Sequence, residues 1–198
     1  MDIGEVVKNE VFRPLTSVAI PGALAVAPYV ILAQHYVPHV LDFWHDHDAA
    51  FSAMVVGCML AAGLLLEDVG ALLEVHIIDP LVQRKHEEHY ENWRKYLQLK
   101  MKDEYVGQRY LRTVVTRLKF ELSMLPALVV LWLGLVWIQV VYSTWTGWGF
   151  IALSAFVLGI ALYLAIESYS SAWTLSKVRG WLIAACRLAD ASAARHEP

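Results

Sequence analysis

Four apolar runs without a single Asp, Glu, Lys or Arg, at residues 15–40, 49–66, 122–142 and 149–166, constrain this chain more than any other feature. A bilayer's hydrocarbon core is about 30 Å thick and takes roughly 20 residues of α-helix to cross, with every peptide group bonded inside the helix because lipid offers no partner. The runs therefore predict four transmembrane helices, the second and fourth near the short limit. Composition agrees. A chain of 198 residues that is 58% hydrophobic, with a mean hydropathy of +0.45, carries more apolar surface than a soluble domain of its size can bury.

Orientation follows from the cations, because Lys and Arg in short loops stay on the cytoplasmic side during insertion. Lys8 and Arg13 precede the first run. Arg84, Lys85, Arg94, Lys95, Lys100, Lys102, Arg109, Arg112, Arg117 and Lys119 lie between the second and third. Lys177, Arg179, Arg187 and Arg195 follow the fourth, which accounts for all 16. The connection 38–48 carries Asp42, Asp46 and Asp48 among histidines, and 143–148 is uncharged and aromatic. Both termini are thus expected in the cytoplasm, and the expected location is a bacterial inner membrane. A cleaved signal peptide competes for the first run, since Ala25, Val26 and Ala27 resemble a cleavage site; Pro28 directly after the cut argues against it. Cys58, inside the second run, and Cys186, in the tail, are too far apart to pair.

The expected fold class is an all-α integral membrane protein with four transmembrane helices and a cytoplasmic helical hairpin between the second and third. Residues 1–78 hold the N-terminal segment and two spans, 79–121 the hairpin, 122–170 the other two spans, and 171–198 a cytoplasmic tail. Pro14, Pro21 and Pro28 recur every seven residues, within about 20° per step on one helical face. They predict either a kinked first helix closely packed beside Gly22, or a hinge. In the hairpin, Leu81, Val82, Trp93, Leu97, Leu99 and Met101 mark an apolar stripe on an arm over 81–101, with a turn near 103–107. The return carries Tyr110, Leu111, Val114, Val115 and Leu118 and enters the third run without a breaker. That predicts a third helix of about 35 residues, roughly 50 Å long, standing some 20 Å outside the bilayer. So small a hairpin core is expected to be completed by neighbouring subunits. Small residues around Gly57, Ala61 and Gly63 also favour a homo-oligomer.

Glu67, Asp68 and Glu74 follow the second run, with Glu67 and Glu74 about 20° apart on the side of Gly63 and Gly70. Carboxylates near membrane depth are costly unless they face water or a partner. Lining of a water-filled vestibule, ion pairs with Arg112, Arg117 or Lys119, and catalysis all fit. Glu167, ahead of Ser168, Ser170 and Ser171, either joins the pore-lining set or sits at the interface.

His35, His39 and Asp42 are spaced to share one helical face and could ligate zinc or another divalent metal, although Pro38 disturbs that helix. His86 and His89, with Glu91, form a second pair. It lies across the bilayer from the first, so the dinuclear centre of membrane desaturases cannot be assembled. HExxH, Walker A and GxGxxG patterns are absent, and neither a cofactor nor an enzymatic activity is expected. Arg84, Lys85, Arg94, Arg109, Arg112 and Arg117 interleave with aromatics that include Trp93. Such a surface could hold a cytoplasmic regulatory protein or a nucleotide-type ligand by ion pairing and stacking. The other reading is cations that set topology beside aromatics that pack. Acidic residues in 79–121 offset the field, so duplex nucleic acid is not an expected partner.

In length and layout, four spans with a helical hairpin between the second and third, the chain resembles the small membrane effectors of bacterial anti-phage defence systems, the membrane subunits of the Hailong and Kiwa type. The resemblance covers the architecture and no particular motif. It implies a homo-oligomeric pore, closed until infection and then depolarising the cell, set by a nucleotidyltransferase or other cytoplasmic partner. The leading expectation is therefore an oligomeric ion channel gated through the hairpin, with Glu67, Asp68, Glu74 and Glu167 as pore-lining candidates. A membrane-anchored scaffold and a His-rich metal-dependent enzyme or transporter are the alternatives.

Overall fold

The computed structural model describes residues 13–37, 39–85, 91, 95–96 and 106–193. They form α1 (Arg13–Tyr36), α2 (Val40–Asp46), α3 (Asp48–Leu73), a π turn (Glu74–Ile78), α4 (Asp79–Lys85), α5 (Val106–Tyr142) and α6 (Gly147–Ala193). With α3, the π turn and α4 taken as one continuous rod, four helices are long and apolar enough to cross a membrane, as the four runs predict.

α5 is the central helix. It packs on α1, α3 and α6, while α1 and α3 also pack on each other; α6 leans on α5 and, lower down, on the π turn and α4. Glycine sets the α1–α3 distance. A Cβ at Gly22 would lie 1.8 Å from the Met59 carbonyl oxygen, and one at Gly63 2.1 Å from that of Val18. Pro21, Ala25, Pro28 and Leu32 form the buried stripe of α1. The Pro28 ring occupies space that only glycine leaves at position 134, where a Cβ would meet its Cγ at 2.4 Å. The two interior prolines therefore face the bundle and pack there. Hydrogen bonds tie the same seams: Tyr29 Oη donates to the Val130 carbonyl at 3.2 Å, and Trp137 Nε1 to Tyr36 Oη at 2.7 Å. Between α5 and α6, Trp132 Nε1 donates to Ser154 Oγ at 3.2 Å.

At the aromatic end, His39 breaks the first helix with a left-handed φ of 61°, and Ser143 ends α5 with a φ of 48°. The Gln139 amide closes the second turn, accepting from the Trp145 N–H and donating to the Trp145 carbonyl, both at 3.0 Å.

At the charged end the helices outrun the bilayer. α5 has 37 residues and α6 has 47, or about 55 Å and about 70 Å of helix against a core of about 30 Å. The long α5 matches the sequence reading. The fourth helix does not: it continues past Ile166, through a segment expected to be a tail, to Ala193. Apolar character fades after Ile166 but helical pattern does not, since Ser168, Ser171, Ala172, Leu175, Arg179 and Ile183 recur at helical spacing and are buried. The larger core cluster lies here, formed by Ile78, Val82, Leu111, Val114, Leu118, Leu122, Ala172 and Leu175, with Tyr96 packed against it. The burial expected from neighbouring hairpins is supplied in part by α6 of the same chain.

The π turn keeps this cluster in register. Gly70, Glu74, Ile78 and Val82 stand four residues apart, and on a regular α-helix that spacing would drift about 120° over three steps. A π turn absorbs one extra residue and removes about 100° of the drift, so buried Gly70, Ile78 and Val82 all face inward.

Candidate functional site

The register of α3 against α5 places the acidic residues. A Cβ at Gly70 would lie 3.0 Å from the Leu122 carbonyl carbon, so Gly70 is level with the point where α5 loses its charges. Glu67, three residues back, stands about 4.5 Å further into the apolar zone. It is paired: Lys119 Nζ donates to Glu67 Oε1 at 3.3 Å. On the opposite side of α5, Arg117 Nε donates to Glu121 Oε1 at 2.7 Å, and Arg117 Nη2 donates to Glu167 Oε1 on α6. The Glu121 side chain is only 4% exposed, and its buried Oε2 has no hydrogen-bond partner among the described residues.

A second charged layer lies lower. Arg179 of α6 is buried, and its guanidinium acts electrostatically with Asp79 and Glu74. These are the first residue after the π turn and the first residue within it. On an unbroken α-helix, positions five apart would point about 140° away from each other; the extra residue in the π turn brings them to about 40°, as if four apart. The π turn thus brings two carboxylates onto one side of the rod, within electrostatic reach of one buried arginine.

Of the four candidate pore-lining residues, Glu67, Glu74 and Glu167 therefore face cations of their own chain. Asp68 differs. It is exposed, and among the described residues no hydrogen bond or ion pair holds it. It lies on the outward stripe of α3 with Gly57, Ala61, Leu65 and Leu72, of which Leu65 is 68% and Leu72 59% exposed. The apolar stripe continues below it through exposed Val75. The small residues divide accordingly. Gly63 packs inward, while a Cβ at Gly57 would meet nothing within 4 Å and Ala61 is exposed.

Among the described residues no three His, Cys, Asp or Glu side chains come together as a metal site. The left-handed break at His39 rotates it away from the face of His35. His39 Nδ1 pairs with Asp42 Oδ2 at 2.9 Å, whereas the His35 ring packs edge-on against Tyr36 and Tyr142 at 5.0 and 5.6 Å. Of the proposed ligand-binding surface, Trp93 and Arg94 lie outside the described residues, as do His86 and His89, and so does the side chain of Arg109. Arg112 is exposed on α5, and Arg84 and Lys85 are exposed at the end of α4. Lys85 Nζ stands 5.4 Å from the Tyr169 ring centroid. Sequence reasoning passed over Arg179, Asp79 and Glu121 as functional residues. The helical spacing of Arg179 with Ala172, Leu175 and Ile183 was the signal available for the first.

The chain matches no family model, no curated protein and no solved structure.

Proposed function

We propose that the chain is the subunit of a homo-oligomeric membrane pore, with the outward stripe of α3 carrying Asp68 into a shared, water-filled lining. The exposed Asp68 carboxylate, set between apolar residues on both sides along α3, supports this reading. An Asp against lipid costs as much as about 2.5–3.5 kcal/mol at the bilayer centre, and water or a facing copy removes that cost. Ala61 and Gly57, about two and three turns further in on the same stripe, permit close approach of a second copy. Glu67, Glu74 and Glu167 then hold the bundle together and leave ion attraction to Asp68. The cation distribution supports a cytoplasmic charged end, a bacterial inner membrane and control by a cytoplasmic partner through residues 79–121. The same assembly is what the likeness to anti-phage membrane effectors implies.

A scaffold that displays its helices to a partner is the second reading. It is favoured by the larger core cluster, which apart from Leu122 lies beyond the charge-free runs and builds a packed stalk.

Exposed Cys58 lies on the α3 stripe and provides the test. In a Cys186→Ser background, oxidative cross-linking in membranes should produce disulfide-linked dimers through Cys58, and liposomes should conduct cations. Asp68→Asn should lower conductance and cation preference while cross-linking persists. Cross-linking without ion flux would favour the scaffold; the absence of both would remove the pore.

A further inference from the structure

The charged end carries a feature that the proposed pore does not use. Tyr169 and Trp173 are one helical turn apart on α6, and each ring has a lysine ammonium over it. Lys85 Nζ from α4 stands 5.4 Å from the Tyr169 centroid, and Lys177 Nζ stands 3.7 Å from that of Trp173. Among the described residues neither lysine is paired with a carboxylate, and both are exposed. Of the other described cations at this end, Arg117 and Lys119 are paired with carboxylates of their own chain, Arg179 is buried within reach of Asp79 and Glu74, and Arg84 and Arg112 are exposed.

Depth is the second observation. The charge-free run of α6 ends at Ile166, which puts Tyr169 about 4.5 Å and Trp173 about 10 Å further along the axis. Lipid headgroups occupy roughly the first 5–8 Å outside the hydrocarbon. Lys85 and Lys177 start further out. However, helical side chains lean toward their own N-terminus, and α4 and α6 both run away from the apolar zone, so the Trp173 ring and both ammoniums fold back toward it. Their positions over Tyr169 and Trp173 are the result. Two ammoniums without a carboxylate partner among the described residues, backed by amphipathic rings that stand one turn apart on α6, match a phosphodiester in its layer.

We propose that Lys85, Tyr169, Trp173 and Lys177 form a binding site for the phosphate headgroup of an anionic phospholipid at the charged end of the bundle. The proposal rests on the four helices crossing a bilayer, and on neither the pore nor the number of subunits. The rings hold the ammoniums at headgroup depth, and the ammoniums select negative charge over zwitterionic lipid. A lipid seated there bridges α4 to α6, the two elements that flank the Arg179 layer.

Native mass spectrometry of the full chain, released from micelles doped with phosphatidylglycerol or phosphatidylcholine, tests this. The wild type should retain phosphatidylglycerol and lose phosphatidylcholine. Retention of phosphatidylglycerol should fall about fivefold for Lys85→Gln or Lys177→Gln alone and about 25-fold for the pair. Lys95→Gln, in the arm and paired with Glu91, should change nothing. Trp173→Leu, which keeps both charges and removes a ring, should weaken retention less than the double lysine change. Equal retention of the two lipids, or unchanged retention in the double lysine variant, overturns the site. So does loss of phosphatidylglycerol on adding millimolar inorganic phosphate, which would mark a soluble-anion site. Resistance of the chain to carbonate extraction from membranes reports bilayer insertion separately, so failure of the lipid site and failure of the membrane reading remain distinguishable.

Discussion

Arg117 holds Glu121 of its own helix through Nε and Glu167 of α6 through Nη2, so one guanidinium joins a buried carboxylate to the neighbouring span. The two acceptors are not equivalent, because the Glu121 side chain is 4% exposed and that of Glu167 is 28% exposed. Arg117→Leu should therefore strand the Glu121 charge and cost roughly 2 kcal/mol, between the values for exposed and buried pairs. Glu167→Gln should cost under about 1 kcal/mol. Adding Glu121→Leu to Arg117→Leu should recover part of the loss. Thermal unfolding in one detergent compares the set, and equal losses for Arg117→Leu and Glu167→Gln would show that Glu121 does not depend on Arg117.

Arg179 answers to Glu74 and Asp79 together. Arg179→Met should leave both carboxylates without their cation and loosen α6 from the π turn, lowering stability by about 2–3 kcal/mol. Pairing it with Glu74→Gln should restore part of this. Hydrogen exchange should then rise at 74–82 and 172–183 and stay flat at the α1–α3 seam. Uniform exchange along the chain would contradict a local latch.

Gly22 and Gly57 predict opposite outcomes for the same change. Gly22→Ala forces a methyl group into the Met59 carbonyl, which would be only 1.8 Å away, and should destabilise by about 3 kcal/mol or more. Gly57→Ala meets nothing within 4 Å and should leave the isolated subunit as stable or up to about 1 kcal/mol more so. In membranes it should reduce cross-linking through Cys58 if a second copy lies against that stripe. Melting temperature and cross-linking yield, measured on both variants, separate the two seams.

Deleting a residue from the π turn should be unusually mild. Val75 is exposed, and its removal would convert the turn to regular α-helix while leaving Gly70, Ile78 and Val82 on one face. The deletion variant should keep its helical circular dichroism and melt within a few degrees of the wild type. Deletion of Leu64, in the regular part of α3, should instead rotate everything beyond it by about 100° and abolish cooperative melting. Similar losses from both deletions would mean that the π turn does not act as a register correction.

Hydropathy made the spans legible, and the missing breaker before Leu122 made the long α5 legible. The continuation of α6 is hidden because Glu167 ends the charge-free run, although the sequence between Gly159 and Gly180 contains neither glycine nor proline to end the helix. Hydropathy marks where lipid stops, and helix breakers mark where the helix stops; at Ile166 the two diverge. Ion pairing of Glu67 with Lys119 was one of the alternatives the sequence left open. Its pairing partner depends on the vertical register of α3 against α5, which Gly70 sets by close approach and which no periodicity encodes. The π turn left no readable mark, because a shift of one residue becomes visible only against a neighbouring helix. His35, His39 and Asp42 fit a ligand pattern as long as the helix ran straight, and the left-handed His39 removed that premise.

The one-sided seating of α6 has a mechanical meaning. α1, α3 and α5 brace one another, but α6 is a rod of about 70 Å gripped along a single seam by α5 and fastened below by Arg179. A pull or a bound mass at its far end acts as on a lever whose fulcrum is the Arg117–Glu167 contact. The load arrives first at the π turn and, through it, at the charged end of α3, where Asp68 stands on the outer face, while the stretch of α3 welded to α1 by glycine stays braced.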